Sequence, residues 1–255
     1  MISTAGTIGI MAAMHEELKR IVAMLEEVSK EKVGHKQVYL GKLNQQKVVV
    51  VFSGWGKVAS ASTTTMLIER YQIKQLVFTG VAGGTQPNLN IGDIVIGRFF
   101  VQHDMDCAGV LGIKRFEIPL LSLTEIPSDK NLQEKAIQAA NTYLNEDLKS
   151  DVDQHELAEL NISEPAVYCG LIASGDQFIS SPEKQAELIE ALPKLLAVEM
   201  EGAAVAQVAY EYDLPFIVIR VISDKANHHA IIDFPRFIEQ IASHFTAGII
   251  RQLIG

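Results

Sequence analysis

The chain has 255 residues, 48% of them hydrophobic, with 31 acidic against 22 basic side chains and a formal net charge of -9. That length is ample for one large core, so a single domain over residues 1–255 is expected. The acidic balance, with no basic patch or tail, excludes a nucleic-acid partner, because such binding runs on clustered Lys and Arg.

Short Val- and Ile-rich runs alternate with longer amphipathic stretches, the pattern of an α/β fold. In chain order the spacing predicts a strand over 7–12, a helix over 15–27, strands over 38–43 and 47–52, a helix over 58–71, and strands over 75–79 and 93–99. A helix over 130–144 follows, then a polar excursion over 145–164, a strand over 167–173, helices over 182–191 and 201–212, a strand over 216–221 and a last helix over 235–253. No apolar run approaches the roughly 18 residues that span a bilayer, and residues 1–14 hold no Lys or Arg ahead of their short apolar stretch, so neither a membrane span nor a leader is expected. Cys107 and Cys169 show no Cys-x-x-Cys spacing, which points to a reducing, cytoplasmic setting without a disulfide framework or a zinc site.

Two glycine clusters follow strands. Gly54-Trp55-Gly56-Lys57-Val58-Ala59 fits the wording of a dinucleotide fingerprint, which makes an NAD-dependent enzyme the first rival. The next strand ends in Thr79-Gly80 without the carboxylate that would hold the ribose, so the rival lacks its second requirement. Gly80-Val81-Ala82-Gly83-Gly84 is expected just past a strand, where Val81, Ala82 and Gly83 would let a ligand approach the backbone closely.

Three carboxylates stand beside apolar segments. Glu17 falls one turn into a helix that starts after the first strand, although the helix dipole alone can place acids there, as with Glu16. Glu199 and Glu201 flank Met200 ahead of a helix rich in small residues. Arg220 lies inside a strand read as buried and nearly demands a carboxylate partner, and Asp224 after Ser223 is the nearest along the chain.

Seven segments, taken together, resemble the 5'-methylthioadenosine/S-adenosylhomocysteine nucleosidases of the purine nucleoside phosphorylase-like superfamily. They are Ile8-Gly9-Ile10-Met11-Ala12-Ala13-Met14-His15-Glu16-Glu17, Ser53-Gly54-Trp55-Gly56-Lys57-Val58, Thr79-Gly80-Val81-Ala82-Gly83-Gly84, Gly92-Asp93-Ile94-Val95, Ser174-Gly175-Asp176-Gln177-Phe178-Ile179, Val198-Glu199-Met200-Glu201 and Arg220-Val221-Ile222-Ser223-Asp224. The resemblance implies a three-layer α/β/α domain with a mixed, twisted central sheet, a homodimer and no cofactor. It implies Glu17 as the base that activates water, Asp224 as the acid that protonates adenine, Glu201 as the ribose clamp, Ser223 orienting Asp224, and Arg220 near the reacting carboxylates. Phe178 would stack on adenine, Ile179 would bond its edge, and Met200 would lie under the ribose. Met14, Trp55, Cys107 and Phe234 match the positions around the 5'-thio group, with a contribution from the partner's 110–119 region.

Two positions depart from the family pattern. Trp55 replaces a smaller aliphatic residue and would narrow the 5' pocket. Val81 replaces a serine and cannot hydrogen-bond a water. Within the superfamily the rival is a phosphorylase, but phosphate favours guanidinium forks, the chain has only seven arginines, and Glu17 would repel the anion. A nucleoside-binding protein without activity is disfavoured by the presence of all three carboxylates. His103-Asp104-Met105-Asp106 beside Cys107 is read as loop polar contacts rather than a metal site, and His228-His229 as a solvated loop.

Overall fold

The computed structural model describes residues 6–227 and 229–255; residues 1–5 and His228, part of the loop read above as solvated, lie outside the described residues. The strands are β1 (Ile8–Ala12), β2 (Glu26–Val33), β3 (Lys36–Leu43), β4 (Gln46–Phe52), β5 (Gln75–Gly84), β6 (Ile94–Gln102), β7 (Ile126–Pro127), β8 (Val167–Ser174), β9 (Leu195–Glu199) and β10 (Phe216–Asp224). The helices are α1 (His15–Ala23), α2 (Lys57–Tyr71), α3 (Lys130–Thr142), α4 (Leu148–Asp151), α5 (Gln154–Glu159), α6 (Pro182–Ala191), α7 (Gly202–Glu211), α8 (Ala230–Phe237) and α9 (Ser243–Ile254). All strands join one mixed sheet in the order β10-β6-β8-β9-β5-β1-β4-β3-β2, with β7 on β6. A further β10–β5 pairing closes β5, β10, β6, β8 and β9 into a ring, from which β1, β4, β3 and β2 extend as an arm.

Strand alternation produces the three layers. Ile8, Ile10, Val48, Val50, Val77, Ile217 and Ile219 pack with Ile21 of α1, Ala136 of α3 and Ile250 of α9. Their neighbours Met11, Val49, Val51, Leu76, Phe78, Phe216 and Val218 face the other way, onto Leu67 of α2 and Ala206 of α7. Both faces being covered explains why the central strands read as continuous apolar runs.

Several expected boundaries are corrected. The first helix stops at Ala23 instead of running to residue 27, and Glu26–Val33 turns back as an edge strand against β3. Its residues are mostly exposed and charged, so no apolar alternation marks it. The glycine cluster at 80–84 is not a loop past a strand but the last half of β5, held between β10 and β9. β9 occupies the segment before Glu201, where no strand was expected, and the 145–164 excursion contains a π-helical turn (Tyr143–Asp147), α4 and α5. The last helical stretch starts at Ala230, with Pro235 inside α8 rather than at its start, and a π-helical turn (Ile238–Ala242) links it to α9. No described helix is long and apolar enough to cross a membrane.

Candidate active site

The carboxyl ends of β1, β5, β9 and β10 meet at a cavity of about 290 Å³, the place where open α/β sheets keep their ligands. Val81, Ala82 and Gly83 of β5 and Ser223 and Asp224 of β10 form one wall; Met14 and Trp55 form another. Phe178 and Ile179 from the loop after β8, Phe234 of α8, and Met200 with Glu201 complete it.

Asp224 is buried at the end of β10, where Ser223 Oγ donates to its Oδ2 at 2.9 Å and the Ala226 N–H donates to its Oδ1 at 2.8 Å. Burial raises its carboxyl above the usual range, and the Asp233 charge adds to that, while the two donors oppose it. A Cβ at Gly83 would stand 2.9 Å from Asp224 Oδ1, so only glycine lets β5 approach the acid this closely.

The buried arginine does find a carboxylate, but it is Glu199 rather than Asp224. Arg220 Nη2 lies 2.7 Å from Glu199 Oε2, and its guanidinium sits 4.1 Å from the centroid of the Phe78 ring. Glu199 also accepts from Ser174 Oγ, from the Glu201 N–H at 3.1 Å and from the Gly202 N–H at 2.8 Å, so this one carboxylate ties β10, β8 and the start of α7 together. Glu201, at the α7 N-cap, accepts from the Gly56 N–H at 2.8 Å. Burial first, and the neighbouring Glu199 charge second, push Glu201 up to about 7.

Glu17 does not line the cavity; it is fully buried in the first turn of α1 behind Met14, whose N–H donates to Glu17 Oε2 at 3.0 Å. Burial pushes its carboxyl up to about 8 against the pull of Arg220. Glu17 Oε1 and Arg220 Nε are both buried with no hydrogen-bond partner among the described residues, two polar atoms left over beside the site.

The other expected residues divide clearly. Trp55 is 63% exposed at the cavity rim, its Nε1–H donating to Ala13 O at 3.2 Å, and Phe178 meets Phe234 edge-on at 5.5 Å. Cys107 is not brought to the cavity; it sits in a turn closed by the Val110 N–H to its carbonyl at 3.1 Å. Glu199 and Gln177 line the cavity and were not assigned a role from sequence. The signal for Glu199 was present, since an acid between apolar runs near a buried arginine is a candidate partner. Among the described residues no group of three or more His, Cys, Asp or Glu could hold a metal ion.

Residues 7–255 match the family model described as the Phosphorylase superfamily, which gives the class of protein. A 5'-methylthioadenosine/S-adenosylhomocysteine nucleosidase of Staphylococcus aureus is 37% identical over 235 residues, 92% of this chain and 93% of that protein. The nucleosidase of the same name from Neisseria meningitidis, solved with methylthio-immucillin-A, superposes with a TM-score of 0.86 at 32% identity, covering 98% of each chain. Native futalosine hydrolase of Helicobacter pylori superposes at 0.83 with 30% identity, covering 98% of this chain and 97% of that one. The chain belongs to the 5'-methylthioadenosine/S-adenosylhomocysteine nucleosidase family.

Proposed function

We propose that the chain hydrolyses the N-glycosidic bond of 5'-methylthioadenosine and/or S-adenosylhomocysteine, releasing adenine. The observation that carries the reading is a buried, raised carboxyl at the end of β10 together with a second one behind the neighbouring wall, in a family named for this chemistry. Breaking the bond leaves positive charge on the sugar and negative charge on the base. Asp224, whose carboxyl burial raises toward its protonated form, gives a proton to the imidazole ring of adenine as the bond to the sugar carbon breaks. Water attacks that carbon from the other face and its proton passes to Glu17. This is the division of labour of inverting glycosidases. Glu201 holds the ribose hydroxyls over Met200, Phe178 stacks on adenine, and Ile179 bonds the base edge through its backbone.

Water rather than phosphate is the nucleophile, because the described cavity lining contains no Lys or Arg and Arg220 is already engaged by Glu199. Adenine release is therefore expected to run at the same rate with and without phosphate, giving the free ribose with its 5-thio substituent intact. Recovery of the 5-thio-substituted ribose 1-phosphate as the main product would assign the chain to the phosphorylases instead.

Trp55 sets the 5' end of the pocket: the indole is pinned to Ala13 O at the rim, in volume that a long substituent needs. Trp55→Ile is expected to raise kcat/KM for S-adenosylhomocysteine relative to methylthioadenosine, and an unchanged ratio removes Trp55 from that role. The same crowding disfavours a bulky futalosine-type nucleoside.

The chain is proposed to be one nucleosidase domain over 1–255, acting as a homodimer in the cytoplasm. The exposed apolar Val58, Val110 and Leu111 support cover by a second copy, with the partner's 110–119 region reaching the 5' pocket. Free thiols at Cys107 and Cys169 suit a reducing compartment.

A further inference from the structure

The N-terminus of α2 is held in an unusual way. The helix has no side-chain cap of its own, and its N-cap is Gly56 at φ 86°. Its first two N–H groups go instead to carboxylates from distant segments: Gly56 N–H to Glu201 Oε1 at 2.8 Å and Lys57 N–H to Asp176 Oδ1 at 2.8 Å. The positive end of a helix suits both. A Cβ on Gly56 would lie 2.8 Å from Asp176 Oδ1, so glycine is needed for this approach as well as for the backbone angle.

The Lys57 side chain then closes the arrangement. Its Nζ lies 2.6 Å from Asp104 Oδ1 and 3.1 Å from Gln102 Oε1, at the end of β6, and Asp104 Oδ2 accepts the Asp176 N–H at 3.0 Å. Asp104, Lys57 and Asp176 thus form a closed circuit joining three segments, with side chains of Lys57 and Asp104 only 18% and 19% exposed. Burial works against the charge on Asp104, yet the Lys57 ammonium and the Asp176 N–H hold its carboxyl below the usual range. An isolated exposed ion pair is worth little, but this pair is one side of a hydrogen-bonded circuit, and it is the circuit that fixes geometry.

None of the three lines the cavity, but each end of the circuit meets a residue that does. Gly56, next to Lys57, donates to Glu201, and Asp176 lies two residues before Phe178. We infer that Asp104, Lys57 and Asp176 are positioning residues that set the N-terminus of α2 against Glu201 and hold the Phe178 loop in register with it, an inference that rests on Glu201 being the ribose clamp. The circuit fixes where the Gly56 N–H points. That donor favours the charged form of Glu201, which burial and Glu199 otherwise oppose. Loosening the circuit releases the donor, and Glu201 becomes a poorer, more protonated acceptor for ribose hydroxyls.

The test is a double-mutant comparison that a merely structural circuit would not pass. Asp104→Asn and Lys57→Met, with Lys57→Arg as the conservative variant, are made alone and in a Glu201→Gln background. Each is measured for melting temperature, kcat/KM and the Kd of a 7-deaza analogue of methylthioadenosine, which lacks the ring nitrogen that must be protonated. In the Glu201 enzyme, Asp104→Asn and Lys57→Met are expected to weaken analogue binding and kcat/KM by about tenfold, with little change in melting temperature, and Lys57→Arg to keep most of both. In the Glu201→Gln background the further loss in Kd is expected to stay within about twofold. Asp104→Asn is nearly isosteric and carries the test if Lys57→Met does not fold. Equal losses in both backgrounds, or no loss with Glu201 present, overturn the inference while leaving the clamp standing. Wild-type binding by Glu201→Gln alone removes the clamp itself, and the inference with it.

Discussion

Asp224→Asn is expected to lower kcat by at least about 10²-fold while leaving the fold and analogue binding near wild type. Adenine leaves poorly as an anion, so a proton must reach its ring as the bond breaks, and positioned general acids contribute about 10²- to 10⁴-fold. Asn keeps an oxygen for the Ala226 N–H, and the Ser223 hydroxyl can rotate to accept from the new amide. The neighbourhood is spared a second injury as well: Arg220 is paired with Glu199, so no buried cation is orphaned by the change. The loss therefore falls on the transition state, in kcat rather than in binding. Glu201→Gln is expected to behave differently, weakening binding and turnover together, because ribose hydroxyls are held in the ground state too. Steady-state rates, analogue titration and melting curves on the same preparations separate the two. An Asp224→Asn enzyme that folds normally and turns over within a few-fold of wild type ends the acid assignment.

The central strands and the segments that build the cavity were legible because each carries a local signal. Val48 to Val51 and Phe216 to Ile219 are apolar without a break, as strands covered on both faces must be, and a small or acidic residue at each carboxyl end marks the ligand side. What escaped was set by distant pairing. β2 is a run of charged residues that only its partner β3 makes a strand, and β9 is a short segment recruited between β8 and β5. Gly80 to Gly84 looks like a turn because its glycines have no local reason to be extended. Their reason lies across the sheet, where the Arg220 guanidinium and the Asp224 carboxylate need the space a Cβ would fill. The carboxylate nearest to Arg220 along the chain is not its partner for the same cause, since Asp224 is near in sequence while Glu199 is near in space. Spacing along a chain ranks candidates, but the sheet register decides which of them meet.

Glu17→Gln is expected to lower kcat by at least about 10²-fold and at the same time to change how stability depends on pH. The folded protein holds the Glu17 carboxyl at about 8, against an ordinary 4.5, because full burial disfavours its charge. Between those two values the folded state binds a proton that the unfolded chain has released, so the wild-type protein loses stability from this group as pH rises from about 4.5 to about 8. Gln cannot titrate. The variant is therefore expected to gain on wild type across that window, by an amount on the order of a few kcal/mol at most, and to show no further relative gain above it. Any cost of burying the amide is constant with pH and cancels from the slope. The same group governs activity in the opposite sense, since a base works only as its carboxylate: wild-type kcat/KM is expected to rise with pH on its acid limb with an apparent value well above that of an ordinary glutamate. Chemical denaturation of wild type and Glu17→Gln at a series of pH values, beside a kcat/KM profile, reads both effects. Parallel stability curves together with an acid limb near pH 4.5 would show that Glu17 ionises freely and that burial does not hold its carboxyl up, whereas a Glu17→Gln enzyme that turns over within a few-fold of wild type ends its role as the base.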